Sequence, residues 1–578
     1  MDLYSKYYEQ ELYNLRKLAK EFAEVHPAIA PMLSGQASDP DVERLLEGTA
    51  FLSGLLRQKI DDHLPEVIHS LTNFIFPHLL KTIPSVTLVR FTPKKGLQEP
   101  LPIQAGTEIG AERVEDVSAV FKTCFDCMVQ PLEITKVESS GSASGGQQIE
   151  VELTLTGPGI DTWIPEQIAF YIGGSYSRAS DIFYLLTRKL RRIVVESDNG
   201  SKSITLPAHS IKVPAFEREN NLLPYPGNSF SGFRHLQEYF LLPHKFLFLE
   251  LTGLQGWKDR GKGNVFTVRF ELEPSIVNLP NLGLDAFLLS TVPVINLFSH
   301  EADPVIQDHS RDKILISPAV KDGRRPEIYS VDRVTGYTRG AMIKKEYASA
   351  SLFAAGKVEN SYGLLHSISK VHNRPQLSLQ FSYPPETVDV VEETISVELT
   401  CTNGDIPQQL KLGEICKATS QTPELVEFSN LMKPTLPIDP PLSGTLLWKL
   451  LSHLSLNLLS LDKVENLREL LALYVFKQDR DRSRISSNEK RIQGIEDFSV
   501  EPTNRLIRGH MMRGQKIRLS ARSDHFAGIG DFCLFGMVMD NLFSEYCSMN
   551  TFIQLDLVDN VSGETYAWPT RVGNKALI

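Results

Sequence analysis

The first 80 residues place apolar side chains at helical spacing. Along residues 3–26 they recur at steps of three and four, which predicts a single apolar stripe on an α-helix. His26 precedes Pro27 and ends this helix, because the residue before a proline avoids the helical region. The stripe consists of Tyr4, Tyr8, Leu12, Leu15, Leu18, Ala19 and Phe22.

A second helix is predicted to begin at Asp39 and Pro40, which suit the N-cap and the first helical position. A third helix is predicted from about residue 65 to residue 77 or 80. Residues 1–80 are therefore interpreted as an N-terminal helical arm. The stripe of the second helix consists of Val42, Leu45, Leu46, Thr49, Leu52, Leu56 and Ile60.

From about residue 85 the apolar positions alternate with polar ones, which is the pattern of half-buried strands. The glycine-rich segment 253–264 is interpreted as a hairpin connection between two of these strands. The pattern predicts a β-rich domain over 81–290 and a middle β-rich domain over 291–400. Strands are predicted over 85–93, 148–157, 264–273, 375–384 and 394–403.

The C-terminal part returns to helical patterns and then mixes both periods. Residues 442–462 are apolar on nearly every face, which predicts a largely buried helix, and another helix is predicted over 462–476. Segments 477–491 and 522–530 are interpreted as loops. The end of the chain is predicted to run strand, helix, strand, over 516–522, 532–547 and 551–559. Residues 401–578 are therefore an α+β domain, and the whole chain is a multidomain α+β protein.

Composition narrows the classes of partner and compartment. The 578 residues are 42% hydrophobic and 22% charged, with a formal net charge of −10. Such a balance disfavours a nucleic-acid partner bound through the whole surface, without excluding a local basic patch. The sequence contains no run of about 18 apolar residues, so no membrane span is predicted. Six cysteines and a charged N-terminus without a secretory signal favour the cytoplasm.

Only two segments offer candidate chemistry. Cys124 and Cys127 form a CxxC, but the other cysteines supply no second pair for zinc, and segment 121–134 alternates like a strand rather than opening a helix. The segment 300–309 gathers acids and imidazoles that could support a metal-assisted hydrolase, which is the alternative function. Its candidate residues are His300, Glu301, Asp303, Asp308 and His309. No nucleophile accompanies them, so no catalytic, cofactor or metal residue is assigned.

The remaining interpretation of the arm is that it forms a protein-binding surface. Its first helix carries several tyrosines, which add apolar area with a polar tip and suit interfaces. The alternative is that these side chains pack on the second and third helices of the same chain, and both can hold on different faces. A third class, an exported effector or glycan-binding β-domain protein, would show independent export and monomeric behaviour.

Long segments of the chain resemble one family in the same order along the sequence. YYEQELYNLRKLAKEFAEVHPAIAPML and DPDVERLLEGTAFLSGLLRQKIDDHLPEV at the N-terminus are similar to the start of TssF, a baseplate subunit of bacterial type VI secretion systems. Similar segments follow over 76–91, 235–254, 296–309, 401–410, 447–461 and 546–555. Colinear likeness of this length is more specific than any of the short motifs.

The resemblance implies a cytoplasmic structural subunit without catalytic activity or cofactor. Two TssF copies would join one TssG, and TssK trimers would attach to that unit. These wedges would surround the VgrG spike hub, with TssE at the sheath end. The baseplate would dock on an inner-membrane complex and support sheath assembly, with no nucleic acid bound and no membrane span of its own.

The arm is then the predicted contact with the second TssF copy or with TssG. Pro27, Pro31 and Gly35 lie where a hinge between arm and body is expected. The pair Leu12→Asp and Leu15→Asp is predicted to prevent copurification with TssG. The candidate interface residues are Tyr4, Tyr8, Leu12, Leu15, Leu18, Phe22, Leu45, Leu52 and Leu56.

Overall fold

The computed structural model confirms an α+β chain. It describes residues 3–25, 40–75, 77–141, 147–157, 159–198, 203–217, 219–225, 231–275, 282–320, 323–338, 344–350, 360–369, 374–383, 392–442, 463–476, 479–507 and 509–573. The predicted hinge residues Pro27, Pro31 and Gly35 lie outside these ranges, as does nearly all of the predicted helix 442–462. None of the helices in the described ranges combines the length and apolar character that a membrane span requires.

The α-helices lie at the two ends of the chain and at two points between. In chain order they are α1 (Leu3–Val25), α2 (Pro40–Ile75), α3 (Tyr176–Arg188), α4 (Ser231–Leu241), α5 (Val464–Ala472), α6 (Arg482–Gln493) and α7 (Ile529–Ser544). A short 3₁₀ helix, Pro77–Leu80, connects α2 to the first strand.

The strands fill the middle of the chain and return near its end. In chain order they are β1 (Val86–Pro93), β2 (Leu101–Ile103), β3 (Glu108–Val114), β4 (Val117–Thr123), β5 (Cys127–Val129), β6 (Leu132–Gly141), β7 (Gln147–Leu155), β8 (Gln167–Ile172), β9 (Leu190–Ser197), β10 (Ile204–Pro207), β11 (Ile211–Lys212), β12 (Phe248–Thr252), β13 (Val265–Leu272), β14 (Phe287–Leu289), β15 (Thr291–Ile295), β16 (Phe298–Glu301), β17 (Val305–Gln307), β18 (Ile314–Leu315), β19 (Glu327–Thr338), β20 (Lys344–Ser349), β21 (Ser361–Ile368), β22 (Pro375–Ser382), β23 (Glu393–Thr402), β24 (Val426–Asn430), β25 (Ile495–Ile507), β26 (His510–Ala521), β27 (Thr551–Asp559), β28 (Thr565–Ala567) and β29 (Arg571–Val572).

The strands assemble into sheets that combine distant parts of the chain. One sheet has the order β24-β1-β15-β4-β3, a second β10-β9-β13-β7-β6, and a third β11-β12-β8-β14. Strands β16 to β23 form a larger sheet, β2 pairs with β5, and β25 to β29 form the C-terminal sheet. The first sheet draws strands from segments assigned above to different domains. The division at 80, 290 and 400 therefore stays a prediction.

The strand predictions from alternation are confirmed. Strand β7 buries Ile149, Val151, Leu153 and Leu155 and turns the residues between them outward. The same holds for β13, which pairs with β7 along its length. Because successive side chains point to opposite faces of a strand, alternating polarity indicates that one face is buried and the other faces solvent. The C-terminal strand–helix–strand order is also confirmed, as β26, α7 and β27.

Three local predictions are wrong. The second and third arm helices are one helix, α2, which continues through Pro65 although proline removes one backbone hydrogen bond. Segment 477–491 is not all loop, because Asp481 accepts hydrogen bonds from the amides of Ser483 and Arg484 and caps α6. Segment 253–264 joins β12 and β13, which belong to different sheets, so it is not a hairpin.

The strand-like alternation of segment 121–134 is confirmed. The segment contributes to β4, β5 and the start of β6, and buried side chains alternate with more exposed ones over 121–129.

Two hydrophobic cores organise the described part of the chain. The larger joins the first three sheets to α3, α4 and α7, and the smaller lies on the β16–β23 sheet. Asn296, which is fully buried, lies where they meet. Its amide donates to the carbonyl of Val120 and to Asn403 at 2.8 Å each, and its carbonyl accepts from Thr402 at 2.7 Å. This buried side chain therefore has hydrogen-bond partners in β4 and at the end of β23.

Buried histidines occur around these cores. Burial, reinforced by neighbouring cations, lowers the pKa of His78 to about 3 and that of His235 to about 2. Burial also lowers the pKa of His244 and of His366 to about 4. All four imidazoles are therefore neutral in the folded chain at pH 5, whereas in the unfolded chain they protonate below about pH 6.5.

We expect the free energy of unfolding to fall as the pH is lowered from 7 to 5. The unfolded chain binds protons there that the folded chain does not, so His78 and His235 each remove about 2 kcal/mol of stability by pH 5. Urea unfolding across this pH range measures the effect. The variant His235→Gln should show a shallower pH dependence than the parent chain, and an unchanged slope would contradict the assignment.

Candidate protein interface

Helices α1 and α2 pack against each other and form the arm. Each helix buries an alanine, Ala19 at 9% and Ala50 at 0% exposure, and such small side chains let two helices approach closely. Arg16 forms an ion pair with Glu43 across the pair of helices. Tyr8, Leu12 and Leu15 are half-buried. Part of the predicted interface is thus used within the chain. This is the self-packing alternative.

The arm is attached to the body through the C-terminal end of α2. There His69 and Thr72 are buried, and the imidazole of His69 lies 3.0 Å from the carbonyl of Leu442. Leu79 and Leu80, just beyond α2, belong to the larger core. A 36-residue helix spans about 54 Å at about 1.5 Å per residue. The N-terminal half of α2 therefore carries α1 at a distance from this attachment.

The outer face of the arm carries exposed leucines. Leu45, Leu52 and Leu56 are 71%, 62% and 63% exposed. They are seven and four residues apart and so lie on one face of α2. On α1, Leu18 is 58% and Phe22 is 48% exposed. Large apolar side chains grouped on one exposed face mark protein interaction sites.

The structure thus divides the predicted interface residues into two groups. Tyr8, Leu12 and Leu15 lie toward the packed side of the arm, and the exposed leucines lie on its outer face. The side chain of Tyr4 lies outside the described part. Phe51 is a further exposed apolar residue of α2, at 53% exposure, that the candidate interface does not include. It lies off the apolar stripe, so periodicity gives no signal for it.

In the described part of the chain, the side chains of segment 300–309 bond to separate neighbours. His300 lies 2.9 Å from the carbonyl of Ala319, and Asp303 forms an ion pair with Arg325 at 3.0 Å. Asp308 accepts from the amide and hydroxyl of Ser310, which lowers the pKa of its carboxyl. Among the residues that the structure describes, no three His, Cys, Asp or Glu side chains are grouped to hold a metal. The hydrolase alternative has no support.

The CxxC is also without redox geometry. Burial raises the thiol pKa of Cys127 to about 12 and raises that of Cys124 further. Cys124 donates a long hydrogen bond, 3.6 Å, to the carbonyl of Leu222. Both thiols are free and stay protonated at neutral pH, whereas a reactive cysteine needs a lowered pKa.

The chain is similar to known proteins of one family along almost its whole length. A family model described as "Type VI secretion system, TssF" matches residues 1–575. The type VI secretion system component TssF1 of Pseudomonas aeruginosa is 27% identical over 628 aligned positions, which cover 99% of this chain and 98% of that protein. The family resemblance of the colinear segments is confirmed.

Solved structures show the same fold. A chain of the TssK-TssF-TssG baseplate subcomplex, solved by cryo-electron microscopy, superimposes with a TM-score of 0.76 at 29% identity and covers 92% of this chain and 99% of that one. A chain of another type VI baseplate complex covers 100% of both chains, with a TM-score of 0.64 at 24% identity, which speaks to the fold alone. By sequence and by fold over nearly its whole length, the chain belongs to the TssF family of type VI secretion proteins.

Proposed function

We propose that this chain is a structural, non-enzymatic subunit of a type VI secretion baseplate. The observation that carries the proposal is the agreement of sequence and fold, along almost the whole chain, with a chain of the TssK-TssF-TssG subcomplex. In this proposal the chain works in the bacterial cytoplasm, joins TssG and TssK in a wedge, and needs no cofactor. Its role is to position partners rather than to transform a substrate.

The finer arrangement belongs to the same proposal. Two copies of the chain would share one TssG, TssK trimers would attach to that unit, and the wedges would surround a VgrG hub with TssE at the sheath end. The baseplate would then meet the inner-membrane complex through other subunits. A multidomain chain with several separate surfaces suits such a role, because each neighbour requires a surface of its own.

The outer face of the arm is the surface that we assign to TssG or to the second copy. Leu45, Leu52 and Leu56 would enter a shared helical bundle, where an apolar stripe on one helix packs between the side chains of its neighbours. Burying one leucine contributes about 2 kcal/mol, or roughly a thirtyfold change in affinity. The inner residues Leu12 and Leu15 would instead hold α1 on α2.

Replacing Leu45 and Leu52 together by aspartate is expected to prevent copurification of the chain with coexpressed TssG. The two side chains are exposed in the isolated chain, so folding is preserved, whereas a buried aspartate is strongly unfavourable in an apolar bundle. Affinity purification from coexpressing cells, with circular dichroism of the free variant, measures both effects. Substitution of Leu12 and Leu15 is less informative, because those half-buried residues also contribute to the packing of α1 on α2.

A matched control is Leu412→Asp, which introduces the same charge at a leucine that is 62% exposed away from the arm. This variant should retain TssG. Normal TssG recovery with the arm variant would refute the assignment of the outer face, and loss of TssG in both variants would refute its specificity.

A further inference from the structure

Helix α4 carries an arginine that is buried without a counter-charge. Arg234 is 5% exposed, and within the described ranges its guanidinium enters no hydrogen bond or ion pair, with its Nε fully enclosed. The guanidinium lies over the ring of Tyr225, whose centroid is 5.4 Å from its central carbon. A charge taken out of water in this way is strongly unfavourable unless an anion compensates it.

The other buried arginines of the described ranges have partners. Arg260, at 6% exposure, donates to three backbone carbonyls. Arg491, at 7% exposure, donates to the carboxylate of Asp531 and to the amide oxygen of Asn488. Arg234 differs from both, although buried polar groups are hydrogen-bonded in the great majority of cases. This exception indicates a bound group that the protein itself does not supply.

Glu238, one helical turn from Arg234, is not available as its counter-ion. The carboxylate of Glu238 is hydrogen-bonded to the ammonium of Lys245. It also accepts from the amides of Leu222 and Leu223, at 2.7 and 3.4 Å. Two buried cations therefore share one buried anion in this part of the core. A water molecule satisfies donors, but only an anion balances the remaining charge.

A second donor without a partner lies beside Arg234. Gln237 is three residues further along α4, and side chains at this spacing are neighbours on one helix face. It is 2% exposed, and in the described part of the chain its amide nitrogen has no hydrogen-bond partner. The hydroxyl of Tyr225 donates to its amide oxygen at 3.1 Å, so the same tyrosine contacts both side chains. The two residues together offer a guanidinium and an amide N–H to one acceptor.

Gln237 also lines a narrow crevice that is open to solvent. Lys81 and Asp439 lie in the wall of this crevice and are partly exposed. The carboxyl of Asp439 interacts with arginines other than Arg234. Burial, followed by the charges of Lys81 and Arg234, lowers the pKa of His78, another residue of the wall, to about 3. The crevice therefore approaches α4 from a side on which cations lie close together.

We propose that Arg234 and Gln237 bind a small oxyanion, of the carboxylate or phosphate class, at this side of α4. The planar guanidinium donates two parallel hydrogen bonds to two oxygens of such an ion, and the amide of Gln237 donates a third. The negative charge of the ion balances the excess cation in the core. The ligand is a free ion from solution, and the proposal does not depend on the baseplate function.

The test is equilibrium dialysis of the full chain against radiolabelled inorganic phosphate, with sodium formate and sodium chloride as competitors. We expect saturable binding of a single ion per chain. Formate should compete, whereas chloride at equal ionic strength should not, because it cannot accept the paired hydrogen bonds of a guanidinium in the same way. Thermal unfolding gives a second readout, since an ion that binds only the folded chain raises the melting temperature as its concentration rises.

Arg234→Met is expected to abolish both the binding and the rise in melting temperature, because it removes the charge and all the donors of the guanidinium. Arg234→Lys keeps the charge without the planar fork and should weaken binding about tenfold. Gln237→Leu removes one hydrogen bond to the ion and should also weaken binding about tenfold. These two variants decide the question if Arg234→Met does not fold.

The matched control is Arg513→Met, which removes the same charge at an exposed arginine and should bind phosphate like the parent. Absence of saturable binding of either oxyanion, or equal competition by chloride, would overturn the proposal. Parent-like binding by Arg234→Met, or by both Arg234→Lys and Gln237→Leu, would overturn it as well. The variant Leu45→Asp with Leu52→Asp should lose TssG yet still bind phosphate, which separates this proposal from the proposed function.

Discussion

Replacing Asp531 by alanine is expected to lower the free energy of unfolding by about 3–5 kcal/mol, the range observed when one partner of a buried ion pair is removed. The loss arises because Arg491 stays charged in the interior without its anion. Urea unfolding followed by intrinsic fluorescence measures the change. The effect is large against the total stability of a folded protein, which is about 5–15 kcal/mol.

Asp531 connects four parts of the chain through hydrogen bonds. Its carboxylate accepts from the hydroxyls of Tyr176 and Tyr239, at 2.6 and 2.7 Å, and from the guanidinium of Arg491, at 2.9 and 3.0 Å. It also accepts from the amide of Ala527, at 3.1 Å. Helices α3, α4, α6 and the start of α7 are thereby joined at one fully buried side chain. With Asp531 removed, several buried donors lose their acceptor at once.

The control for this prediction is Asp524→Ala. Asp524 also pairs with an arginine through two hydrogen bonds, to Arg522 at 2.8 and 3.1 Å, but the pair is exposed. Water and salt screen such a pair, so the substitution should change stability little. Equal losses at Asp524 and Asp531 would show that burial is not the reason for the effect.

Replacing Glu238 by glutamine is expected to destabilise the chain by about 3–5 kcal/mol at pH 7, because it leaves the ammonium of Lys245 buried without an anion. Both side chains are fully buried and hydrogen-bonded to each other. The remaining surroundings of Lys245 include the rings of Phe246 and Phe125, with centroids 5.1 and 5.8 Å from its nitrogen. The same unfolding experiment measures the loss.

The double variant Glu238→Gln with Lys245→Met separates the charge from the other bonds of Glu238. The carboxylate also accepts from the amide of Leu222 at 2.7 Å, and a glutamine carbonyl can still do so. Without a charge on either side chain, the double variant should recover most of the lost stability, since buried ion pairs are often replaceable by uncharged pairs. Equal instability of the single and double variants would contradict this explanation.

The pH dependence of the single variant gives an independent check. Burial lowers the pKa of Lys245, and without Glu238 it falls further. The folded variant then releases a proton that the unfolded chain retains up to about pH 10.4. Because stability rises with pH wherever the unfolded state binds more protons, Glu238→Gln should regain stability as the pH rises toward about 10.4. The double variant should not show this gain.

Local pattern was sufficient for elements whose neighbours along the chain decide their structure. Alternation predicted β7 and β13, and helical spacing predicted α1 and the start of α2. It failed where a tertiary contact overrides a local signal. Pro65 suggested a break in a helix that the structure continues. The composition of segment 477–491 predicts a loop, yet α6 buries Asn488, Arg491 and Ile492.

Pairing between distant strands was beyond any local pattern. Strand β24 pairs with β1 although more than 300 residues separate them, and β12 and β13 enter different sheets although they follow each other. Periodicity specifies which face of a strand is buried but not which strand lies beside it. The same limit applied to the arm, where one apolar stripe contained both packed and exposed residues.

The sequence by itself determined the α+β class, the family and the apolar character of the N-terminal arm. These depend on periodicity and on long colinear similarity, both of which are properties of the chain as written. Only the tertiary structure decided that Leu12 and Leu15 are half-buried on the packed side of the arm while Leu45, Leu52 and Leu56 are exposed. Only it showed that Arg234 is buried without a counter-charge in the described part of the chain. The reason is physical: exposure depends on which distant segments pack against a side chain, and local spacing carries no information about them.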